Sequence, residues 1–275
     1  MKNYVRQQTD LKIDRVLAEL DRTREQPSEE AIHDLRVSIR RLSQALRLFG
    51  ELLGEKRARK LRNRLRPVLK AAGEARNRDV ALLILAEAKV ADTGDVVAAI
   101  EAEREKYVQT LVTLVRSLEG IELHTEWKTP KSGDVWDPEM TPAENARAVV
   151  PKLARKFLKA GERAIDPATT WTDLHQFRLR GKRFRYTLEL FEPLYPRGLA
   201  QRLASMRKVQ TVLGDINDYE TMLAMPSVKK HPALVEWLNA HRDDKRSKFV
   251  ALWKKEFAMP VAERRWVEYL KRYAR

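Results

Sequence analysis

Near its start the chain reads His33-Asp34-Leu35-Arg36-Val37-Ser38-Ile39-Arg40-Arg41, and a related stretch returns as His175-Gln-Phe-Arg178-Leu-Arg-Gly-Lys182-Arg183. The alignment continues without a gap to the pair Phe49 and Phe191. A histidine and two arginines coincide, and a lysine stands where the first copy has its middle arginine. A second signal, Gly73 and Gly214, follows Phe49 and Phe191 at nearly equal spacing, which indicates one event rather than two chance matches. We therefore predict one internal duplication.

Both copies have the spacing of an amphipathic helix with one basic side and one apolar side. At 100° per residue, one narrow stripe of the first copy holds His33, Arg36, Arg40 and Arg47. The opposite side holds Leu35, Ile39, Leu42, Leu46 and Phe49. The second copy divides in the same way, with His175, Arg178, Lys182 and Tyr186 on its stripe. A solvated face needs no particular charge sign, and Glu189 is the only acid on either stripe, so we predict an anion-binding site.

Composition predicts an all-α protein built from two similar halves. The 275 residues include 43% hydrophobic and 34% charged residues but only 10 glycines. Residues 120–142 carry prolines, glycines and scattered polar residues that are typical of a linker. We therefore expect two antiparallel helical bundles, residues 1–119 and 143–275, related by pseudo-symmetry.

The sequence predicts a cytoplasmic protein that does not span a membrane. It contains no cysteine, which excludes disulfides and thiolate chemistry. Its first residues lack the apolar core of a signal peptide, and no apolar run reaches the length of a membrane span.

The net charge of +15 is concentrated in the two repeats. Residues 33–78 hold 14 Lys and Arg against 4 Asp and Glu, and residues 175–208 hold 9 against 2. The two blocks therefore carry +10 and +7, and the rest of the chain sums to −2. Such a field attracts polyanions, so the expected partner is a nucleic acid, an anionic membrane surface or a phosphate polymer.

Helix start and stop signals give approximate limits for the motif helix. Ser28 is a predicted N-cap, and the helix that follows it is expected to run to about Leu53 and to end at Gly54. Gly73 and Gly214 are each predicted to break a helix, with a new helix after Asn217. The helix after Gly54 carries a further basic stripe, formed by Arg62, Arg66 and Lys70.

Carboxylates follow both glycines, and this raises the question of a catalytic metal. The acids are Glu74, Asp79, Asp215, Asp218 and Glu220. Phosphoryl transfer uses such groups to hold Mg²⁺. Capping of the next helix and neutralisation of nearby arginines is the favoured interpretation, so we expect no metal, no cofactor and no enzyme activity. No phosphate-binding loop or hydrolase motif is present in the sequence.

These motifs resemble the CHAD domain, a family named for a histidine in an α-helical domain. The pattern His-x-x-Arg-x-x-x-Arg/Lys-Arg occurs in both halves, and the segments after Gly73 and Gly214 are similar to the glycine-acid turns of the family. The resemblance covers nearly the whole chain. It implies two pseudo-symmetric helical bundles around a basic central cavity that binds inorganic polyphosphate without catalysis, often on polyphosphate granules.

The resemblance also implies which side chains face the ligand. Carried over by position, they are His33, Arg36, Arg40, Arg41, His175, Arg178, Lys182 and Arg183. Charge and repeat position alone add Arg62, Arg66, Lys70, Arg207 and Lys208, and Arg47 joins them from its place on the stripe. Arg47 corresponds to Glu189, and Arg76 to Asn217, so unequal contacts of the two halves with the anion are expected.

Several alternatives stay open at this point. The two histidines could instead cap or pack near a helix start, and Arg41 and Arg183 could brace Glu74 or Asp215 in salt bridges. Nucleic acid is the rival ligand, at least weakly and without sequence preference. Residues 33–78 contain a single aromatic residue, Phe49, on the apolar side, so base stacking is unsupported and only phosphate-backbone recognition remains. A Mg²⁺-dependent polyphosphate hydrolase is the third possibility, and the sequence does not specify an oligomeric state.

Overall fold

The computed structural model describes residues 1–121, 123, 135–137 and 139–274, and these residues form helices joined by turns, with no β-strand among them. The helices are α1 Lys2–Glu25, α2 Glu29–Leu48, α3 Glu55–Ala88, α4 Gly94–Arg116, α5 Pro142–Ala164, α6 Trp171–Phe191, α7 Gly198–Leu223, α8 Pro226–Lys229, α9 Pro232–Phe257 and α10 Val261–Arg272. A short 3-10 helix, Glu192–Leu194, follows α6. The predicted all-α class is confirmed. Among the described helices, none combines the length and the apolar character of a membrane span.

The chain divides into two compact units. The N-terminal unit comprises Lys2–Thr129 and Thr221–Trp237, and the C-terminal unit comprises Pro130–Glu220 and Leu238–Arg275. Within the N-terminal unit the later segment packs α8 against α4 and brings His231 Nε2 to 3.0 Å from Asp95 Oδ2. The limits 1–119 and 143–275, with a linker at 120–142, stay a prediction, and most of that linker lies outside the described residues.

The motif helix α2 begins where its sequence signal predicts. The Ser28 hydroxyl accepts a hydrogen bond from the backbone N–H of Ala31 at 3.2 Å, and two glutamates occupy the first turn. The expected end near Leu53 is wrong, because α2 ends at Leu48 and the chain turns to bury Leu52 and Leu53 completely. Gly54 instead precedes α3, with a φ of +74°.

Gly73 and Gly214 do not break their helices. The 34-residue α3 continues through Gly73 and the 26-residue α7 continues through Gly214, so the helix expected after Asn217 is part of α7. A glycine inside a helix costs only about 1 kcal/mol relative to alanine, which packing can override. Around Gly73 that packing comes from Ala71, Ala72 and Ala75, which are all buried.

The apolar sides of both motif helices form the cores of their units. On α2 this side is at most 1% exposed, and it consists of Leu35, Ile39, Leu42, Leu46 and the adjoining Phe49. In the C-terminal unit, Phe177 and Phe184 of α6 join an aromatic cluster around Phe157 and Trp253. With one side of each helix fixed in the core, the opposite side must face outward from it.

Three of the tryptophans are buried and contribute to packing. Trp136, Trp253 and Trp266 are at most 5% exposed. The ring centroid of Trp136 lies 5.9 Å from that of Phe191, which anchors the end of the predicted linker to α6. Trp127 lies outside the described residues.

Candidate anion-binding site

The cationic side of α2 lies opposite its buried apolar side. His33, Arg41 and Arg47 are exposed, while Arg36 and Arg40 are partly exposed. Arg36 and Arg40 are less exposed because they lie on the side of α2 that faces the neighbouring helix α3. The predicted α2 residues are therefore on one side of one helix, with Arg41 at its margin, about 80° from the stripe.

The helix beside this face is α3, which runs antiparallel to α2. Arg76 Nη1 of α3 lies 3.5 Å from Glu29 Oε2 of α2. Further along α2, the Arg36 side chain crosses Gly73, since a Cβ on that glycine would lie 3.8 Å from Arg36 Nε. Higher residue numbers on α2 thus meet lower numbers on α3. Continuing this register places Arg40 level with Lys70 and Arg47 level with Arg62.

The structure therefore brings the α2 and α3 cations together in one surface, which we call the α2–α3 wall (His33, Arg36, Arg40, Arg47, Arg62, Arg66 and Lys70). Arg66 and Lys70 are exposed, and Arg62 is partly exposed with its Nε atom buried. For Arg62, Arg66 and Lys70, the described part of the chain contains no ion pair. A wall that includes these three uncompensated groups is suited to a multiply charged anion.

The carboxylates that follow Gly73 are engaged by arginines. Glu74 and Glu103 both accept hydrogen bonds from Arg78, with 2.8 Å between Arg78 Nη2 and Glu103 Oε2. Burial acts to lower the pKa of Arg78, but these hydrogen bonds raise it overall. Asp79, 2% exposed, accepts a hydrogen bond from Arg104 Nε at 2.5 Å, and this bond raises the pKa of Arg104. The favoured interpretation of these acids as partners of arginine agrees with this geometry.

The second motif helix, α6, presents the corresponding residues in the C-terminal unit. His175 and Arg183 are exposed, Lys182 is partly exposed, and Arg178 is 7% exposed. Each matches the exposure of its counterpart on α2 except Arg178, which is more buried than Arg36. The internal duplication stays a prediction.

Helix α7 runs antiparallel to α6 and lies beside this face. His175 Nδ1 and Asn217 Oδ1 are joined by a hydrogen bond of 2.5 Å, and Arg185 Nε donates to Gln210 Oε1 at 2.7 Å. This register places Arg178 level with Gly214, as Arg36 is placed over Gly73. We call this surface the α6–α7 face (His175, Arg178, Lys182 and Arg207).

The two remaining predictions on α7 have different surroundings. Arg207 is exposed and precedes Gly214 by seven residues, as Arg66 precedes Gly73, so it shares the side of α7 that carries the glycine. Lys208 is about 120° from Gly214 around the helix, and its Nζ lies 3.4 Å from Glu256 Oε1 of α9. The structure thus brings Arg207 to the α6–α7 face and places Lys208 on another side of α7.

The acids of the C-terminal unit are also engaged by basic groups. Lys245 Nζ lies 2.5 Å from Asp215 Oδ2, and Arg242 Nη1 lies 2.6 Å from Glu220 Oε1. Glu74 and Asp215, the acids that Arg41 and Arg183 were expected to brace in the alternative, are therefore paired with Arg78 and Lys245. Among the described residues, no group of three or more His, Asp or Glu side chains is arranged to hold a metal ion.

Sequence reasoning missed the polar residues that position the α6–α7 face. Arg185 forms an ion pair with Glu189, the acid on the second stripe, and also binds Gln210. Asn217 orients the His175 ring. Arg185 lies about 80° from His175 on the helix, so angular spacing could have found it. Gln210 and Asn217 carry no charge, and only the antiparallel register of α6 and α7 identifies them.

Comparisons with known proteins agree with the helical fold. A family model described as "CHAD domain" matches residues 7–225. The crystal structure of the CHAD domain from the plant Ricinus communis is 21% identical and aligns over 100% of this chain and 93% of its own, with a TM-score of 0.63. PptA from Streptomyces chartreusis is 17% identical and aligns over 97% of both chains, with a TM-score of 0.59. At these identities the two structures show a shared fold. No curated protein matches the chain.

Proposed function

The chain belongs to the CHAD domain family, and on that premise we propose that it binds inorganic polyphosphate, without hydrolysing it, through the α2–α3 wall and the α6–α7 face. The observation that carries the proposal is the Arg36 guanidinium lying over Gly73. This contact sets the α2 cations alongside Arg62, Arg66 and Lys70 in one continuous surface.

The chemistry of the wall suits a linear phosphate polymer. Polyphosphate presents a row of negatively charged oxygens with no other group to recognise, so affinity must come from many weak ionic contacts and from the release of bound counterions. Arginine forks onto phosphate oxygens and lysine supplies a point charge. Cations spaced along two adjacent helices meet successive phosphates, and the histidines add donors at one end.

Nucleic acid fits this surface less well. Readers of single strands place aromatic rings among their cations so that bases stack on them. The phenylalanine and tyrosine rings on and beside the two motif helices are buried, and they are Phe49, Phe177, Phe184, Tyr186 and Phe191. Trp171, at the start of α6, is partly exposed, but the guanidinium groups of Arg242 and Arg246 lie over its ring. A ligand that consists of phosphate alone uses everything that the wall offers.

Binding without hydrolysis is the second part of the proposal. The carboxylates nearest the two faces already neutralise basic side chains, as Asp79 does for Arg104 and Asp215 for Lys245. A carboxylate held in this way must give up its partner to bind Mg²⁺. We further propose that the protein associates with polyphosphate granules in the cytoplasm, because a binder of long polymer accumulates where the polymer is concentrated.

A charge reversal on each motif helix tests the proposal. The variant Arg40→Glu/Lys182→Glu changes two partly exposed side chains, so the fold should persist by circular dichroism. We expect its affinity for long-chain polyphosphate to fall at least about tenfold, because attraction becomes repulsion on both faces. The matched control is Lys229→Glu/Lys230→Glu, an equal change of charge at exposed positions of α8 and the residue after it. Equal affinity of the two variants would contradict the proposal.

A further inference from the structure

The outer side of α5 carries a second cationic surface that the repeat does not contain. At 100° per residue, five basic residues fall within about 100° of one another on this helix. They are all exposed, and they are Lys152, Arg155, Lys156, Lys159 and Arg163. The two acids of α5, Glu144 and Glu162, lie at one edge of this side, about 20° beyond Arg155, and Glu162 accepts a hydrogen bond from Trp253 Nε1 at 2.9 Å.

A single charge sign along a helix is unfavourable for the helix itself. Residues three or four positions apart are neighbours, so this side contains five repelling pairs: 152–155, 152–156, 155–159, 156–159 and 159–163. An ordinary solvated helix side mixes signs and avoids this repulsion. An anion lying along α5 would remove it.

The cations of this side are poorly compensated by the protein. Arg155 Nε lies 3.2 Å from Glu263 Oε1. For Lys152, Lys156, Lys159 and Arg163 the part of the chain that the structure describes offers no ion pair. By contrast, Lys245 and Lys208 of the same unit each contact a carboxylate. The positive potential of α5 is therefore directed to solvent.

A groove extends this surface onto α6. It has a volume of about 320 Å³ and lies between Arg163 at the end of α5 and Arg180 of α6, with Thr169 and Gln176 along it. The acid that lines it, Asp173, is hydrogen-bonded through Oδ2 to the Thr170 hydroxyl at 2.7 Å. On the other flank, along α10, Glu263 and Glu268 lie among Arg155, Arg264 and Lys271, so most of the positive charge there is offset. The uncompensated positive charge thus runs from Lys152 toward Arg180.

This surface is separate from the α6–α7 face. Arg180 lies five residues after His175, which is about 140° around α6 from it. The surface that joins the α5 cations to Arg180 therefore lies on a different side of α6 from the motif cations.

We propose that the α5 track (Lys152, Lys156, Lys159, Arg163 and Arg180) is a second binding surface for phosphate polymer, distinct from the motif faces. The inference rests on the proposed function, because it assigns the same ligand to another site. From Lys152 to Arg163 the track is about 16 Å long, enough for several successive phosphates. A protein with separate surfaces holds a long polymer by avidity and links different polymer chains into larger assemblies.

The composition of the track favours phosphate polymer over other polyanions. None of the large apolar side chains exposed in the described residues lies on α5, so the track has nothing to insert into a membrane. Its five members include no aromatic residue on which a base could stack.

The test is the double variant Lys152→Glu/Lys159→Glu. This change turns each of the five repelling pairs into an attracting pair, so the melting temperature should stay level or rise and the fold is preserved. Binding is measured with a short oligophosphate, with long-chain polyphosphate and with single-stranded DNA, and light scattering reports the size of the complexes. The control is again Lys229→Glu/Lys230→Glu.

We expect the variant to bind the short oligophosphate as the parent does, to lose at least about tenfold in affinity for the long polymer, and to form smaller complexes. Parent-like affinity and scattering with the long polymer would overturn the inference while leaving the proposed function intact. Loss of DNA binding alone would also overturn it, by assigning the track to nucleic acid. If the parent itself binds no polyphosphate, the proposed function fails and the inference fails with it.

Discussion

Gly161 has no room for a larger side chain. It lies under the Trp253 indole, and a Cβ at this position would come within 1.9 Å of Trp253 Cζ2. Because Trp253 is fully buried among phenylalanines, the ring has no space into which to move. We expect Gly161→Ala to lower the free energy of unfolding by about 3 kcal/mol, measured by urea denaturation. Gly94→Ala, where a Cβ meets nothing within 4 Å, is the control and should change it by less than about 0.5 kcal/mol.

Asp79 is the second residue with a large expected effect. Its side chain is completely buried and is bound by Arg104, with Arg76 Nη1 at 3.7 Å from Oδ2. Removing the carboxylate leaves two arginines without their shared anion, so Asp79→Ala should lower the free energy of unfolding by about 3 kcal/mol. Glu103→Ala removes a 42% exposed partner of Arg78 and should cost about 1 kcal/mol or less. Equal losses in the two variants would show that the Asp79 carboxylate is not a structural anion.

At the residue scale, the sequence predicted the positions of the cations but not their partners. Angular spacing placed His33, Arg36 and Arg40 on one side of a helix because 100° per residue is a property of every α-helix. The pairing of Glu74 with Arg78, and of Asp215 with Lys245, depends on how neighbouring helices pack. Charge and spacing along one chain segment do not determine such contacts.

At the element scale, the continuity of α3 and α7 predicts that alanine in place of their glycines stabilises the protein. If the two glycines broke their helices, the same substitutions would be destabilising. In a continuous helix, alanine is more stable than glycine by about 1 kcal/mol. A Cβ at Gly73 would lie at an ordinary distance of 3.8 Å from Arg36 Nε, and a Cβ at Gly214 would meet nothing within 4 Å. Gly73→Ala and Gly214→Ala should therefore each raise the free energy of unfolding by about 0.5 to 1 kcal/mol, measured by urea denaturation.

The control for this prediction is Gly54, which has a φ of +74°. An alanine there must adopt a left-handed backbone, so Gly54→Ala should lower the free energy of unfolding by about 1 to 2 kcal/mol. Destabilisation by Gly73→Ala of the same size would contradict the continuous helix.

The type and faces of most elements could be predicted from the sequence, whereas several of their ends could not. Strong periodicity fixed the apolar side of α2, and the Ser28 cap fixed its start. Its end depends on the burial of Leu52 and Leu53, which is a tertiary effect. The same holds for Gly73, where a local signal for a break is overridden by packing of the alanines around it.

At the scale of the whole molecule, the distribution of charge explains why the α5 track was not anticipated. Outside the two basic blocks the net charge is −2, because acidic segments elsewhere cancel the positive charge of α5. Helix α5 alone has six Lys and Arg against two Glu. A net charge counted over long segments conceals a local surface that only the fold displays.

Polyphosphate binding by this +15 chain should weaken steeply as salt rises. Each ionic contact with the polymer releases counterions, so the logarithm of affinity falls linearly with the logarithm of salt concentration. The slope counts the contacts. Arg40→Glu/Lys182→Glu should reduce the slope by about 1 to 2 units, and Lys229→Glu/Lys230→Glu should leave it unchanged, measured by fluorescence anisotropy over a salt series. Equal slopes for the parent and the first variant would contradict contact of these side chains with the ligand.

Competition for the parent protein between long-chain polyphosphate and single- or double-stranded nucleic acid, at near-physiological salt, distinguishes the two ligands. Released phosphate, assayed with and without Mg²⁺, reports hydrolysis. We expect polyphosphate to displace both nucleic acids and no phosphate to be released. Displacement of polyphosphate by nucleic acid would assign the cationic faces to recognition of a nucleic-acid backbone, and release of phosphate that depends on Mg²⁺ would contradict binding without hydrolysis.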